Sequence, residues 1–296
     1  GSFPVRTSTG IVWCMQTEPT PGAGLGTTPF GASEYMYDVD ALGRACGAQA
    51  QAELPYGPDP VQRLDVYVPQ QRAVDWRPLP VLVFFHGGAW IRGDRSWLKF
   101  MAPAVTSMPA IFVAGTYRHA PAARWPAQYC DVRDAIRQVH ERISQFGGDP
   151  ARIIVGGHSA GGHLATLAIL RGEIPPMRAC FPVSSSFDLR YGDVSPDSEE
   201  GRVYRFLLAE RSQDADASPI LFAHGNRVPF HLSWGSADLA RIIRTSEAMT
   251  AALREDGCRV TTAIVSGAGH FETHLQLADP EDPWYACLRS AFDGGL

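Results

Sequence analysis

From about Arg63 onward the chain alternates short β-rich apolar runs with segments of helical periodicity, and no other feature restricts its fold as much. Strand, helix and strand in succession close most readily as a right-handed crossover between parallel neighbours, so repeated alternation predicts an α/β class, with helices on both faces of a mostly parallel central sheet. Strands are predicted over 64–68, 81–85, 111–115, 152–155, 180–183, 230–234 and 260–265. Between them Val132, Ala135, Ile136, Val139 and Ile143 recur at helical spacing, as do Ile242, Met249 and Leu253. The length of 296 residues suits one such domain, expected over 61–296. Residues 1–60, rich in Gly, Pro and Thr, read as an N-terminal extension forming a small cap, and 187–227, with one short helical pattern, as a cap insertion. Such segments often cover the carboxyl ends of strands, where ligands bind.

Charge and composition narrow the partners. With 26 basic against 31 acidic residues the formal charge is -5, and no basic stripe is present. A protein that grips polyanions usually shows the opposite bias, so nucleic acid is not an expected partner. Uninterrupted apolar runs reach five or six residues, as over 81–85, so no membrane anchor is expected; a bilayer span needs ~20. Cys14, Cys46, Cys130, Cys180, Cys258 and Cys287 are scattered with no C-x-x-C pair, which argues against a zinc ribbon and for free thiols in a reducing cytoplasm. The chain opens Gly1-Ser2 without Met, as after a cleaved tag, and leaves open whether a targeting peptide was removed.

Gly157-His158-Ser159-Ala160-Gly161 matches G-x-S-x-G, between the strand run 153–155 and the helical run 164–167. In that setting the serine occupies a sharp strand-to-helix turn, and small residues two positions before and after it avoid clashes. The start of the helix offers the Ala160 N–H and a favourable dipole to a developing oxyanion. His86-Gly87-Gly88-Ala89-Trp90 follows the strongest strand run, 73 residues before Ser159 when counted from His86. Consecutive small residues let backbone N–H groups face a cleft, so Gly88 and Ala89 are predicted oxyanion donors, with Gly87 a third choice. His86 reads as a residue that orders this loop.

A serine nucleophile needs a base, and the base an orienting carboxylate. His270 follows the run 260–265 through Gly267-Ala268-Gly269 and is the leading base, with His274 the alternative. A metal reading of that histidine pair lacks H-E-x-x-H and a third ligand, so no metal or organic cofactor is expected. Asp238 follows the run 230–234 and the turn Gly235-Ser236-Ala237, 79 residues after Ser159 and 32 before His270. Asp188, Asp193, Asp214 and Asp216 compete in chain order without that strand-then-turn setting. Trp90, Trp234, His158 and Phe271 are the expected substrate contacts. If both indoles face the cleft, a formyl or acetyl group fits where a long acyl chain does not.

HGGAW, the run Phe146-Gly147-Gly148-Asp149-Pro150-Ala151-Arg152-Ile153 and GHSAGGHLA together resemble the α/β-hydrolase fold, and more narrowly the branch shared by hormone-sensitive-lipase-like carboxylesterases and kynurenine formamidases (arylformamidases). The upstream LPYG and RLDVYVP, and Val183-Ser184-Ser185-Ser186-Phe187-Asp188-Leu189, fit the same resemblance, which covers roughly residues 35–293. Esterases of this branch more often carry a third glycine where this chain has Ala89. Kynurenine formamidases commonly place a bulky aromatic there and an Asp before the histidine, where this chain has Ala89 and Gly269. The resemblance implies a serine hydrolase cleaving a small acyl group from an aryl amide or ester, arylformamidase-like, with a general short-chain carboxylesterase as the alternative. The implied partner is a small-molecule amide or ester, and a homodimer stays open. A non-catalytic receptor on the same fold generally lacks a triad member, and here Ser159, Asp238 and His270 are all present.

Overall fold

The computed structural model describes residues 32–70 and 77–296, together with the backbone of Val5–Thr7 and Gly10–Val12, which pair as an antiparallel ribbon. The central sheet has eight strands: β1 (Ala52–Pro55), β2 (Arg63–Tyr67), β3 (Leu79–Phe85), β4 (Ile111–Gly115), β5 (Gly148–His158), β6 (Ala179–Val183), β7 (Phe230–Gly235) and β8 (Val260–Val265). Their spatial order is β8-β7-β6-β5-β3-β4-β2-β1. All pairs from β8 to β4 are parallel, while β2 joins β4 and β1 joins β2 in antiparallel fashion. The expected α/β class and mostly parallel sheet are borne out, and each predicted strand overlaps an observed one. β1 was not predicted, because only Leu54 of its four residues is buried and nothing in Ala-Glu-Leu-Pro alternates strongly. The sheet therefore starts before residue 61, and a boundary at 60 falls inside the β1–β2 hairpin.

The helices are α1 (Ala32–Ala45), α2 (Ala102–Ser107), α3 (Ala127–Arg142), α4 (Ala160–Leu170), α5 (Glu199–Arg202), α6 (Ala240–Glu255), α7 (Glu272–Leu275) and α8 (Pro283–Phe292). The pleat sends alternate strand residues to opposite layers. Leu82, Phe84, Phe112, Ala114, Ile154 and Phe181 pack with α1, α2 and α8, whereas Val81, Val83, Phe85, Ile111, Val113 and Val155 pack with α3, α4 and α6. Each such large side chain, fully buried, contributes roughly 1.5–3 kcal/mol. The central strands are covered on both faces, which is why β3 and β4 read as unbroken apolar runs rather than alternating ones. Among the described residues no helix is long and apolar enough to cross a membrane, and the five described cysteines are free thiols.

Five histidines, His86, His158, His163, His231 and His274, are buried. Burial drives their pKa values down, to about 4 for His86, His163 and His231 and about 3 for His274, with His158 also well below its usual value. The unfolded chain binds these protons below pH ~6.5, while the folded chain refuses them until about pH 4. Unfolding thus takes up protons in that window, and stability falls as pH drops through it, by up to ~1.4 kcal/mol per pH unit for each histidine. Calorimetric Tm is expected to be nearly flat above pH ~7 and to fall steeply below ~6. A Tm unchanged down to pH ~5 would contradict neutral burial of these rings.

Candidate active site

β5 runs directly into Ser159, which holds φ 52° and ψ -118°, a left-handed conformation that strains a non-glycine residue. Neighbouring structure fixes it: the Ser159 N–H donates to the Val183 carbonyl at 2.9 Å, and the Ser159 carbonyl accepts from the His163 N–H at 3.0 Å. The flanking glycines permit the close packing this requires. A Cβ on Gly157 would lie 2.5 Å from the backbone of Gly161 and Gly162, and one on Gly161 would lie 2.2 Å from the Phe85 carbonyl oxygen.

Three strand ends meet at this turn. His270, after β8, places Nε2 2.9 Å from Ser159 Oγ and Nδ1 2.9 Å from Asp238 Oδ1, and Asp238 follows β7. The His270–Asp238 contact is nearly dry, with side-chain exposures of 10% and 0%. Burial by itself would raise the Asp238 carboxyl, but His270, Ser184 and the Leu239 N–H hold it below the usual carboxylate range. Ser184, at the end of β6 with φ 48°, donates to Asp238 Oδ2 at 2.5 Å. Thr273 Oγ1 lies 2.7 Å from Ser184 Oγ and donates to the His270 carbonyl at 3.0 Å. Removing a hydrogen bond to a buried charge costs ~1.5–3 kcal/mol. Ser184→Ala is accordingly expected to lower kcat/KM about tenfold while Ser159 remains reactive to a fluorophosphonate. Unchanged kinetics would show that Ser184 does not hold the acid.

The predicted oxyanion elements converge on Ser159. Ala160 is the first residue of α4, where an N–H has no acceptor within the helix. Gly88 (φ 122°) and Ala89 (φ 52°) line the same pocket as Ser159 and His270. Their turn is held by the Ile91 and Arg92 N–H groups, which donate to the Gly88 carbonyl at 3.1 and 3.2 Å. Gly87 lies behind them as a close-approach position, since a Cβ there would be 2.7 Å from His158 Nδ1 and 3.2 Å from Ser159 Cβ. His86 orders the loop from inside, with Nε2 2.9 Å from Thr116 Oγ1 and its ring stacked on Tyr117.

Of the four expected substrate contacts, Trp90 and Phe271 line the pocket. Trp90 is anchored by its Nε1–H, which donates to His163 Nδ1 at 3.1 Å, and Phe271 stacks on Tyr35 with centroids 4.6 Å apart. His158 lines the pocket's inner end but is 1% exposed, and its Nε2–H donates to the His270 carbonyl at 2.9 Å. Trp234 is a correction. It alternates with Phe230 and Leu232 onto the layer of α4 and α6, is 3% exposed in that core and does not line the pocket. Of the two indoles expected to narrow the cleft only Trp90 lines it, and Trp97 supplies the second indole of the pocket wall. His274, the alternative base, is buried away from Ser159, with Nδ1 2.8 Å from the Tyr35 hydroxyl. Of the competing carboxylates, Asp188 pairs with Arg190 and Asp216 with Arg171, whereas Asp238 alone meets His270. Sequence reading missed Ser184, Thr273 and Tyr35. The run 183–189 drew attention to Ser184 without assigning it a task. Tyr191, Arg202, Val203 and Phe206 bring the 187–227 segment to the pocket wall, and Ala32, Tyr35 and Met36 bring α1.

Among solved structures, an esterase of Pyrobaculum calidifontis superposes with a TM-score of 0.73 at 20% identity, covering 88% of this chain and 91% of that one. A truncated carbohydrate esterase from gut microbiota gives 0.70 at 18% identity, with coverage of 84% and 96%. The chain has the α/β-hydrolase fold. Residues 64–191 match the family model BD-FAE. Esterase LipC of Mycobacterium tuberculosis is 34% identical over 235 residues, 73% of this chain and 58% of that protein. An isoprenylcysteine alpha-carbonyl methylesterase of Arabidopsis thaliana is 29% identical over 259 residues, 78% of this chain and 58% of that protein. The chain thus spans less than two thirds of the length of these curated relatives. In this fold Gly88, Ala89, Ser159, Asp238 and His270 each follow the carboxyl end of a parallel strand, the place where open α/β sheets bind ligands.

Proposed function

We propose that this chain is a serine hydrolase acting on small carboxylic esters. The observation that carries the reading is the continuous relay from Ser159 through His270 to Asp238, with 2.9 Å at each link and a pocket open beside the serine. Ser159 Oγ adds to the substrate carbonyl carbon as its proton passes to His270 Nε2, and Asp238 stabilises the imidazolium. The oxyanion is received by the Ala160, Gly88 and Ala89 amides. The bond to the leaving group then breaks, with His270 giving its proton to the departing oxygen or nitrogen. Water, deprotonated by His270, cleaves the acyl-Ser159 ester, and the proton returns to Ser159.

The esters are favoured by the relatives, which are named as esterases at 34% and 29% identity. The narrower reading, hydrolysis of an aryl formamide, rests on HGGAW together with GHSAGGHLA and on Trp90 at the pocket. One comparison tests both: kcat/KM on p-nitrophenyl acetate, on longer p-nitrophenyl esters and on N-formylkynurenine, with fluorophosphonate labelling mapped by mass spectrometry. Turnover of the short ester with label on Ser159 is the expected result. A higher kcat/KM on the formamide would establish the narrower reading. Label elsewhere with Ser159 untouched, or no turnover of any of these, would overturn the proposal.

A further inference from the structure

Three arginines, Arg92, Arg202 and Arg241, line the pocket that holds Ser159 and His270. Arg241 is neutralised by Glu199, with Glu200 at 3.7 Å. Arg92 and Arg202 have no carboxylate partner among the described residues, and the Arg92 guanidinium donates to Met36 Sδ at 3.9 Å, a poor acceptor. Two other partly buried arginines pair with carboxylates, Arg95 with Asp65 and Arg118 with Asp131, each at 2.7 Å, whereas Arg178 donates to the Ala291 carbonyl at 3.3 Å. Burial, and after it the charge of Arg202, pulls the Arg92 pKa below its usual value, so the two guanidinium groups feel one another.

These two charges come from different walls of the site. Arg92 is tied to the oxyanion loop, its N–H donating to the Gly88 carbonyl at 3.2 Å. Arg202 ends α5, in the segment over the strand ends. A chain with a formal charge of -5 thus sets three arginines against Glu199 and Glu200 around its nucleophile, an excess of one positive charge, with both glutamates on Arg241 and neither paired with Arg92 or Arg202. Holding like charges together in a half-buried cleft is unfavourable in the empty site and favourable once an anion enters.

We infer that the substrate carries a carboxylate, held between Arg92 and Arg202 a few atoms from the scissile carbonyl. This rests on the serine-hydrolase reading for the bond that is cleaved, while recognition of the anion is a property of the pocket itself. Guanidinium forks match a carboxylate in geometry as well as charge, so neutral isosteres lose both.

The test is calorimetric binding to the Ser159→Ala chain, which lacks the nucleophile. Two matched pairs of probes place the charge on either side of the ester: 4-acetoxybenzoate against its methyl ester, and monomethyl glutarate against dimethyl glutarate. The anionic member of at least one pair is expected to bind about tenfold more tightly or better at low salt. The first pair reports a carboxylate on the leaving group, the second one on the acyl group. Arg92→Gln and Arg202→Gln, each added to Ser159→Ala, should cut that ratio at least about threefold, and about 0.5 M NaCl should do the same in the chain with both arginines. Equal binding within both pairs, no binding of any probe, or a ratio untouched by the substitutions and by salt would overturn the inference. Because nothing is turned over, a wild-type chain that hydrolyses no ester would defeat the hydrolase reading and leave an observed anion preference standing.

Discussion

Ser159→Ala is expected to lower kcat/KM on p-nitrophenyl acetate by about 10⁴-fold or more, with Tm within a few degrees of the wild type. On the proposed mechanism activity depends on the one oxygen that stands 2.9 Å from His270 Nε2. Stability depends on other atoms. The strained backbone at φ 52° is as strained for alanine as for serine, and the bonds from Ser159 N–H to Val183 and from His163 N–H to the Ser159 carbonyl belong to the main chain. Residual hydrolysis should come from the oxyanion donors and from binding, which act without the nucleophile. A loss below about tenfold would exclude Ser159 as the attacking group.

His270→Ala and His274→Ala are expected to separate activity from stability. The first removes the group that bridges Ser159 and Asp238 and should cost at least about 10³-fold in kcat/KM with little change in Tm. The second removes a fully buried ring that stacks on His158 with centroids 4.9 Å apart and contacts the Tyr35 hydroxyl. Truncating a large core side chain costs roughly 2–5 kcal/mol through the cavity it leaves, so Tm should fall by many degrees. Below that Tm, kcat/KM should stay within about tenfold of the wild type, since His274 touches the machinery only through Tyr35 and His158. Equal losses of activity in the two variants would exclude His270 as the sole base.

Much of the site was legible because its parts are local. The turn at 157–161, the glycines after β3 and the strand-then-turn settings of Asp238 and His270 each need only a few consecutive residues to be recognised, since backbone sterics act over that range. The choice of His270 over His274 was also local, resting on distance from the end of β8; in the structure His270 Nε2 lies 2.9 Å from Ser159 Oγ and His274 Nδ1 lies 2.8 Å from the Tyr35 hydroxyl. Ser184 was not legible in this way. It reaches Asp238 across 54 residues and Thr273 across 89, and neither spacing carries a pattern. Trp234 misled for a related reason: proximity to Asp238 in the chain says nothing about which face of β7 an indole occupies.

From the sequence alone follow the α/β class, seven of the eight central strands and the choice of Ser159, His270 and Asp238 as the candidate triad, whose side chains stand 2.9 Å apart at each link, because periodicity and tight turns are short-range properties of the chain. Only the tertiary structure decided which side chains meet over the strand ends. The order β8-β7-β6-β5-β3 brings the ends of β6, β7 and β8 together around Ser159, and so places Ser184 and Thr273 behind Asp238 and His270. The phase of the pleat turned Trp234 into the core, and the packing of α1 and α5 over the cleft set Tyr35 and Arg202 beside Ser159. These are contacts between segments far apart in sequence, fixed by the packing of whole layers and not by the spacing of residues within any one of them.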